Sequence, residues 1–292
     1  MAEEVMLSVI TATKDIIVGD RADQLIRCVE SVSKVSIPHE HIICDGASLD
    51  GTLDLLNLLS ERNNGLVIDS RPDSGIYSAF NRGIYKASGK WLYFLGSDDY
   101  LTSPEILSEV IEEANSASTE MVISPVSYSN GSYGFKNMDD CRNILIIKPY
   151  CHQGVLMTKT AIERSGLFNE SYRIASDFEL CLQAHLSNIP SVFIKRCYAC
   201  FSTERGVSSI DKRERQERLD ISRRLLNVPY SGEKLLFSKQ LLPYRVIFRL
   251  LKHDNPIIRK GARYAMVRRI ANILGMLDDM GGPRNAFQKL GR

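Results

Sequence analysis

Apolar and polar positions alternate along the first hundred residues in two different rhythms. Val5 to Thr13 is a run of apolar and β-branched residues that predicts a buried strand, whereas Arg21 to Val35 places its apolar residues at helical spacing. His41 to Cys44 predicts a second strand, closed by the turn pair Asp45-Gly46. The pattern then predicts a helix from Gly51 to about Arg62, a strand from Leu66 to Ser70, a helix from Ser74 to Ala87 and a strand from Trp91 to Leu95. Ser103, Pro104 and Glu105 open another helix, because serine caps a helix and proline is tolerated in its first turn. Strands alternating with helices at this spacing predict an α/β fold: a mainly parallel central sheet with helices on both faces.

The second half is less regular. Met121 to Tyr128 reads as one strand, Ser129 to Asp140 as a loop or hairpin, and His152 to Met157 as a strand. Helices are expected from about Lys159 and from Ser176 to about Ser187, and Ser191 to Phe201 as a closing strand-like run. Beyond Ser209 the chain is helical and basic. The expected division is therefore a globular part over 1–209, split near residue 100, and a C-terminal extension over 210–292.

Composition changes this picture only in places. With 292 residues, 44% hydrophobic and 25% charged, the chain has enough apolar material for a sizeable core. No run approaches the roughly 20 apolar residues of a membrane-crossing helix, and the two glutamates near Met1 precede no cleavable leader, so a cytoplasmic protein is expected. Seven cysteines, with only Cys197 and Cys200 in a CxxC arrangement and no second pair, predict reduced thiols instead of a zinc site. The formal charge of +2 conceals a strong asymmetry: from Asp211 onward there are 19 basic and 8 acidic residues, and the remainder is acidic. From Leu235 to Leu277 these cations alternate with apolar residues at helical spacing, a pattern that suits either peripheral contact with an anionic membrane or a helical appendage packed on the body. No nucleic-acid-binding module accompanies the basic tail.

Ligands of parallel sheets gather at the carboxyl ends of the strands. Polar clusters fall there, at Thr11 to Asp15, Asp45 to Asp50, Arg71 to Gly75 and Ser97 to Tyr100. The run Leu92 to Ser97 delivers Asp98 and Asp99 side by side into a turn. Two adjacent acids repel each other, so this is either a solvated acidic turn or a site where a hard divalent cation is held together with substrate phosphate oxygens.

These segments, taken in order, resemble the family 2 inverting glycosyltransferases, enzymes of the GT-A fold. Ser8 to Thr13 resembles the family's first strand, and Cys44-Asp45-Gly46-Ala47-Ser48-Leu49-Asp50-Gly51-Thr52 its acidic, glycine-containing segment. Asp73 to Tyr77 with Ala79 to Gly83 resembles the next conserved stretch, and Ser97-Asp98-Asp99 stands at the metal-binding position. The likeness runs from about Leu7 to Ser209. It implies nucleotide contacts at Thr11, Thr13 and Asp45, the last accepting from the base as from a uracil imide, although Asp-Gly is also an ordinary turn. Arg71 and Asp73 would reach the ribose or donor sugar, or else form a surface turn. Asp98 and Asp99 would hold Mn2+ or Mg2+ against the donor diphosphate. Ala175-Ser176-Asp177-Phe178-Glu179 resembles the acidic motif that supplies the general base, which makes Asp177 the candidate; an aspartate that merely favours a helix N-terminus is the competing account. The family often has a second acid where this chain has Ser176. His152-Gln153-Gly154 matches a segment beside the acceptor sugar, Glu179 would orient a hydroxyl or face solvent, and Arg205, within Glu204 to Ser208, would offset diphosphate charge. Asn81 and Arg82 are assigned packing and solvation.

The implied activity is transfer of a sugar, with inversion, from a nucleoside-diphosphate sugar, preferably a uridine diphosphate sugar, to a saccharide or lipid-linked saccharide acceptor in surface polysaccharide synthesis. A non-catalytic nucleotide-sugar or glycan-binding module and a sugar nucleotidyltransferase are the alternatives. The first conflicts with the joint presence of Asp45, Asp98, Asp99 and Asp177, and the second with the lack of a glycine-rich basic segment after the first strand, where only Lys14 and Gly19 occur.

Overall fold

Strand β1 (Leu7–Thr13) is buried at every position except the half-buried Ala12, as expected of a strand with a layer packed on each face. A computed structural model describes residues 4–134, 144–145, 150–203, 213–228 and 242–273. Around β1 stand β2 (His39–Asp45), β3 (Leu66–Ser70) and β4 (Trp91–Phe94), joined by helices α1 (Ala22–Val32), α2 (Thr52–Arg62) and α3 (Ile76–Lys86). All four strands are parallel, in register such that Thr13 lies beside Asp45 and Asp45 beside Ser70. The polar ends of three strands thereby arrive at one edge.

After the two-residue β5 (Tyr100–Leu101) and α4 (Pro104–Ser116), the remaining strands extend the sheet on the side of β4. They are β6 (Met121–Ile123), β9 (Val155–Thr158) and β10 (Ser191–Phe193), giving a seven-stranded order β10-β6-β9-β4-β1-β2-β3 in which only β9 runs against its neighbours. The sheet is thus mainly parallel, as the alternating pattern predicts.

The two strand-like runs of the second half differ from expectation in the same way. Met121 to Tyr128 breaks at Pro125, which has no N–H for a ladder, so that β7 (Val126–Tyr128) enters a second, four-stranded sheet with β5, β8 (Tyr133–Gly134) and β11 (Ala199–Phe201). The expected run Ser191 to Phe201 likewise divides between β10 and β11. The strand expected over His152 to Met157 is shorter: His152 to Gly154 forms a 3-10 turn ahead of β9, with the Gly154 carbonyl accepting from the Ser124 N–H (2.8 Å) and the Tyr198 hydroxyl (3.2 Å). Among the described cysteines all are free thiols, Cys197 and Cys200 included.

The period-two alternation of the strands sorts the core into two faces. Leu7, Val9, Trp91 and Tyr93 pack with α1, α4 and Tyr198, while Ile10, Leu92 and Phe94 pack with α3 and with α6 (Ser176–Leu186), which follows the short α5 (Lys159–Ser165). Gly83 of α3 lies so near β1 that an added Cβ would sit 2.3 Å from Ile10 Cγ2. The extension belongs to this second face: Ile221 of α7 (Arg213–Leu225), Val246, Ile247 and Leu250 of α8 (Tyr244–Leu250), and Ile257, Ile258, Ala262 and Ala265 of α9 (Pro256–Ile273) are buried in the same cluster as Met121, Met157 and Phe178.

Candidate active site

At the end of β2, Asp45 is fully buried and its carboxylate is the centre of a small network. Oδ1 accepts from Ser48 Oγ (2.6 Å) and, at longer range, Thr13 Oγ1 (3.4 Å); Oδ2 accepts from Ser70 Oγ (2.7 Å) and the Ser48 N–H (3.0 Å). Three strand ends and the following loop are tied together by one side chain. Thr11, also fully buried, shares a 3.0 Å hydrogen bond with His41 Nε2 and stands apart from this group. Arg71 is exposed and donates to Asp69 (2.9 Å), while Asp73 accepts from the Gly75 N–H (3.2 Å) and lies 3.5 Å from Arg82.

Arg82 organises the chain that follows β2 and β3. Its guanidinium donates to the carbonyls of Arg71 (2.7 Å), Pro72 (3.3 Å) and Asp45 (3.1 Å) and pairs with Asp69 at 3.3 Å. A planar fork with five donors suits this bridging of several carbonyls, which a lysine could not reproduce. Asn81 is equally structural in a specific way, since its side chain bonds Phe168 and Glu170 and so fastens α3 to the loop ahead of α6.

The carboxylate pair follows β4. Asp99 is almost completely buried; Oδ2 accepts from Gln153 Nε2 (2.8 Å) and the Gly96 N–H (3.2 Å), and Oδ1 from the Ser202 N–H (2.8 Å). Burial and the neighbouring Asp98 charge push its carboxyl up to about 7. Asp98 is half-buried, and burial raises it too, against the opposing charges of Arg21, His152 and Arg27. Both acids fold back over Gly96, where a Cβ would come within 2.5 Å of Asp99 Oδ2 and 2.9 Å of Asp98 Oδ1. A cation would offset the burial that raises both groups and the Asp98 charge that adds to it at Asp99, and the donor set fits one. Three of about four acceptor sites on Asp99 are taken, which leaves one there and the carboxylate of Asp98. Among the described residues no cluster of three or more His, Cys, Asp or Glu side chains could enclose a metal. The other positions would fall to phosphate oxygens and water, as is usual for a small hard dication.

Asp177 stands in the first turn of α6, where its Oδ1 accepts the Phe178 N–H (2.7 Å) and its Oδ2 lies 3.1 Å from His152 Nδ1. His152 Nε2 is buried with no hydrogen-bond partner among the described residues. His152 and Gln153 are consecutive, so one short turn touches both Asp177 and Asp99. Glu179 turns elsewhere: it pairs with Arg224 of α7 and accepts from Asn169 Nδ2 at 3.2 Å. Arg205 lies outside the described residues.

A mainly parallel sheet whose strand ends carry a buried aspartate network and a carboxylate pair, linked through Gln153 to the His152–Asp177 pair, is the arrangement expected of the GT-A fold. The sequence profile described as Glycosyl transferase family 2 matches residues 8–172, more than half of the chain, and the chain belongs to that family. Among curated proteins, the PGL/p-HBAD biosynthesis glycosyltransferase of Mycobacterium bovis (strain BCG / Pasteur 1173P2) is 28% identical over 227 residues, covering 75% of this chain and 86% of the relative. Among solved structures, S. aureus TarS 1–349 in complex with UDP-GlcNAc superposes with a TM-score of 0.61 at 16% identity, covering 94% of this chain and 93% of that one. Mannosyltransferase PcManGT from Pyrobaculum calidifontis, in complex with GDP-Man and Mn2+, gives 0.54 at 13% identity, covering 94% and 88%. At these identities the structural likeness establishes the shared fold.

Proposed function

We propose that the protein transfers a sugar, with inversion, from a uridine diphosphate sugar to a saccharide or lipid-linked saccharide acceptor in the synthesis of a surface glycan. The observation that carries this reading is the turn His152-Gln153, which joins the proton acceptor to the carboxylate pair. Inverting displacement needs a base on one side of the anomeric carbon and a stabilised leaving group on the other, and these must be held within a few ångströms of each other.

On this reading Asp98 and Asp99 would hold Mn2+ or Mg2+, which when bound would offset the negative charge of the departing nucleoside diphosphate. Gln153 and the Ser202 N–H keep Asp99 in place, and the network centred on Asp45 shapes the nucleotide end. Asp177 takes the proton of the acceptor hydroxyl as the hydroxyl oxygen attacks the anomeric carbon. His152 holds Oδ2 of that carboxylate through Nδ1 and thereby fixes which oxygen faces the acceptor. Support for a nucleotide-sugar donor comes from the ligands named for the TarS and PcManGT structures, and support for a biosynthetic role from the name of the mycobacterial PGL/p-HBAD biosynthesis glycosyltransferase. A cytoplasmic enzyme working at the inner face of a membrane fits a lipid-linked acceptor.

The test is release of nucleoside diphosphate from a panel of uridine, guanosine and thymidine diphosphate sugars, with and without Mn2+. Turnover should be greatest with a uridine donor, depend on the metal, and fall by about 10²–10⁴-fold in Asp177→Asn while donor affinity is kept. Release of pyrophosphate in place of nucleoside diphosphate would sink the reading, and near-normal turnover of Asp177→Asn would remove that residue from it.

A further inference from the structure

The segment that delivers Asp177, residues 169–176, has no ladder of its own and is secured from two directions. From the donor side, Asn81 binds Phe168 and Glu170, and the Tyr77 hydroxyl donates to the Ile174 carbonyl at 2.5 Å. From the other side comes α7, which lies beyond both the profile match and the expected end of the globular part.

Glu217 of α7 lays its carboxylate across three consecutive backbone N–H groups. Oε1 accepts from Arg173 (3.0 Å), and Oε2 from Ile174 and Ala175 (2.9 Å each). Asp220 accepts from the Tyr172 hydroxyl at 2.6 Å, and Arg224 pairs with Glu179 in the first turn of α6. Residues 217, 220 and 224 recur at i, i+3 and i+7, so a single face of α7 grips the approach to Asp177 and the helix that carries it. Hydrogen bonds from backbone N–H groups to an ionised carboxylate are about twice as strong as neutral ones, and three on one carboxylate leave Arg173, Ile174 and Ala175 little freedom. Ala175 is two residues from Asp177, so the position of the base follows that of the clasped backbone.

We propose that Glu217 is a positioning residue for the transfer: by clasping the 173–175 backbone it fixes Asp177 against His152, which makes α7 a working part of the transferase site. The proposal rests on the reading of Asp177 as the base. Glu217→Gln is the informative substitution, because it keeps the shape but turns an amide NH2 toward one of the N–H donors. Tyr172→Phe is a second, milder one that removes the hydroxyl's bonds to Asp220 and Arg224 and leaves the Glu217 clasp itself in place.

Both variants of the full chain are compared with the unaltered protein in kcat, donor KM, thermal midpoint and hydrogen exchange of the amides of Arg173, Ile174 and Ala175. Glu217→Gln should exchange those amides faster and lose about a hundredfold in kcat, as a displacement of about 1 Å would cause, with donor KM unchanged. Tyr172→Phe should show a smaller loss of the same kind. Unchanged kcat in Glu217→Gln, or unchanged exchange at those three amides, overturns the proposal. So does a parallel loss of kcat and donor binding in a folded Tyr172→Phe, since that is the signature of general damage. If Glu217→Gln fails to fold, Tyr172→Phe decides alone: reduced kcat at constant donor KM supports the clasp and unaltered kcat removes it. A wild-type chain that releases no nucleoside diphosphate from any donor defeats the transferase reading, whereas the clasp is then judged by amide exchange in Glu217→Gln.

Discussion

Gln153 and His152 show how much can hang on neighbouring side chains. Gln153 is buried and gives its amide N–H to Asp99, so Gln153→Leu deprives a buried carboxylate of a donor and frees it to turn. The Mn2+ concentration for half-maximal turnover should rise by about 10–100-fold, the usual effect of losing a group that orients a metal ligand; a titration indistinguishable from the unaltered protein would deny Gln153 this role. Acidic candidates such as Asp98, Asp99 and Asp177 were legible in the sequence because carboxylates at strand and helix ends have few reasons to be there other than turns, caps and ligands. The uncharged Gln153 gave no such signal beyond standing next to a candidate histidine. Arg82 was less legible for a related reason: its position on α3 is evident from the pattern, but the three carbonyls it bridges, on Asp45 at the end of β2 and on Arg71 and Pro72 in the turn after β3, are brought together only by the fold.

Elements of the first half followed the sequence closely because each βα unit buries its own apolar stripe locally, and β3 over Leu66–Ser70 matches its expected bounds. The second half was harder, since Met121 to Tyr128 and Ser191 to Phe201 are largely strand-like yet each crosses between two sheets. Pro125 signals the first crossing, and nothing in local propensity signals the second. Packing between elements yields its own prediction at Gly83. Ala at that site would raise helix propensity by up to about 1 kcal/mol, but its Cβ would meet Ile10 Cγ2 at 2.3 Å on the central strand. Overpacking of this kind costs about 1–3 kcal/mol, so Gly83→Ala should lower the urea midpoint; a variant more stable than the unaltered chain would show that α3 can shift outward freely.

For the molecule as a whole, burial of histidine provides a pH test. His185 is fully buried beside the Tyr150 hydroxyl and burial pulls it down to about 4, whereas an unfolded histidine titrates near 6.5. Between those values the unfolded chain takes up a proton that the folded chain refuses, so this contribution is complete above about 6.5 and shrinks by about 1.4 kcal/mol per pH unit as pH falls. Asp99, raised to about 7, acts in the opposite sense, so the difference between the unaltered chain and His185→Gln isolates the histidine. That stability gap should narrow steadily from pH 7 to pH 4.5 in denaturant titrations, and a constant gap would refute a neutral buried His185. The extension poses the other global question. Its amphipathic pattern was legible, but what its apolar side meets was not, and most of that side is spent in the core through Ile221, Val246, Ile247, Leu250, Ile257 and Ile258. What stays exposed is narrower: Phe248 on α8 and Val267, Ile270 and Ile273 on α9, with Arg245, Lys252 and Arg263 also exposed. Arg263, Val267 and Ile270 fall on one stripe of α9. Among the described residues no helix is long and apolar enough to cross a membrane. Each cation near an anionic surface adds about 1 kcal/mol, and the apolar side chains add to that by partial insertion. Because the extension is part of the core, truncation is a poor probe, and Phe248→Glu combined with Ile270→Glu on the surface is a better one. The unaltered chain should sediment with phosphatidylglycerol vesicles, less so as salt is raised and hardly at all with phosphatidylcholine, while the double variant stays in solution with its nucleoside diphosphate release intact. Equal pelleting of the two proteins would leave the basic face of α8 and α9 without a membrane role.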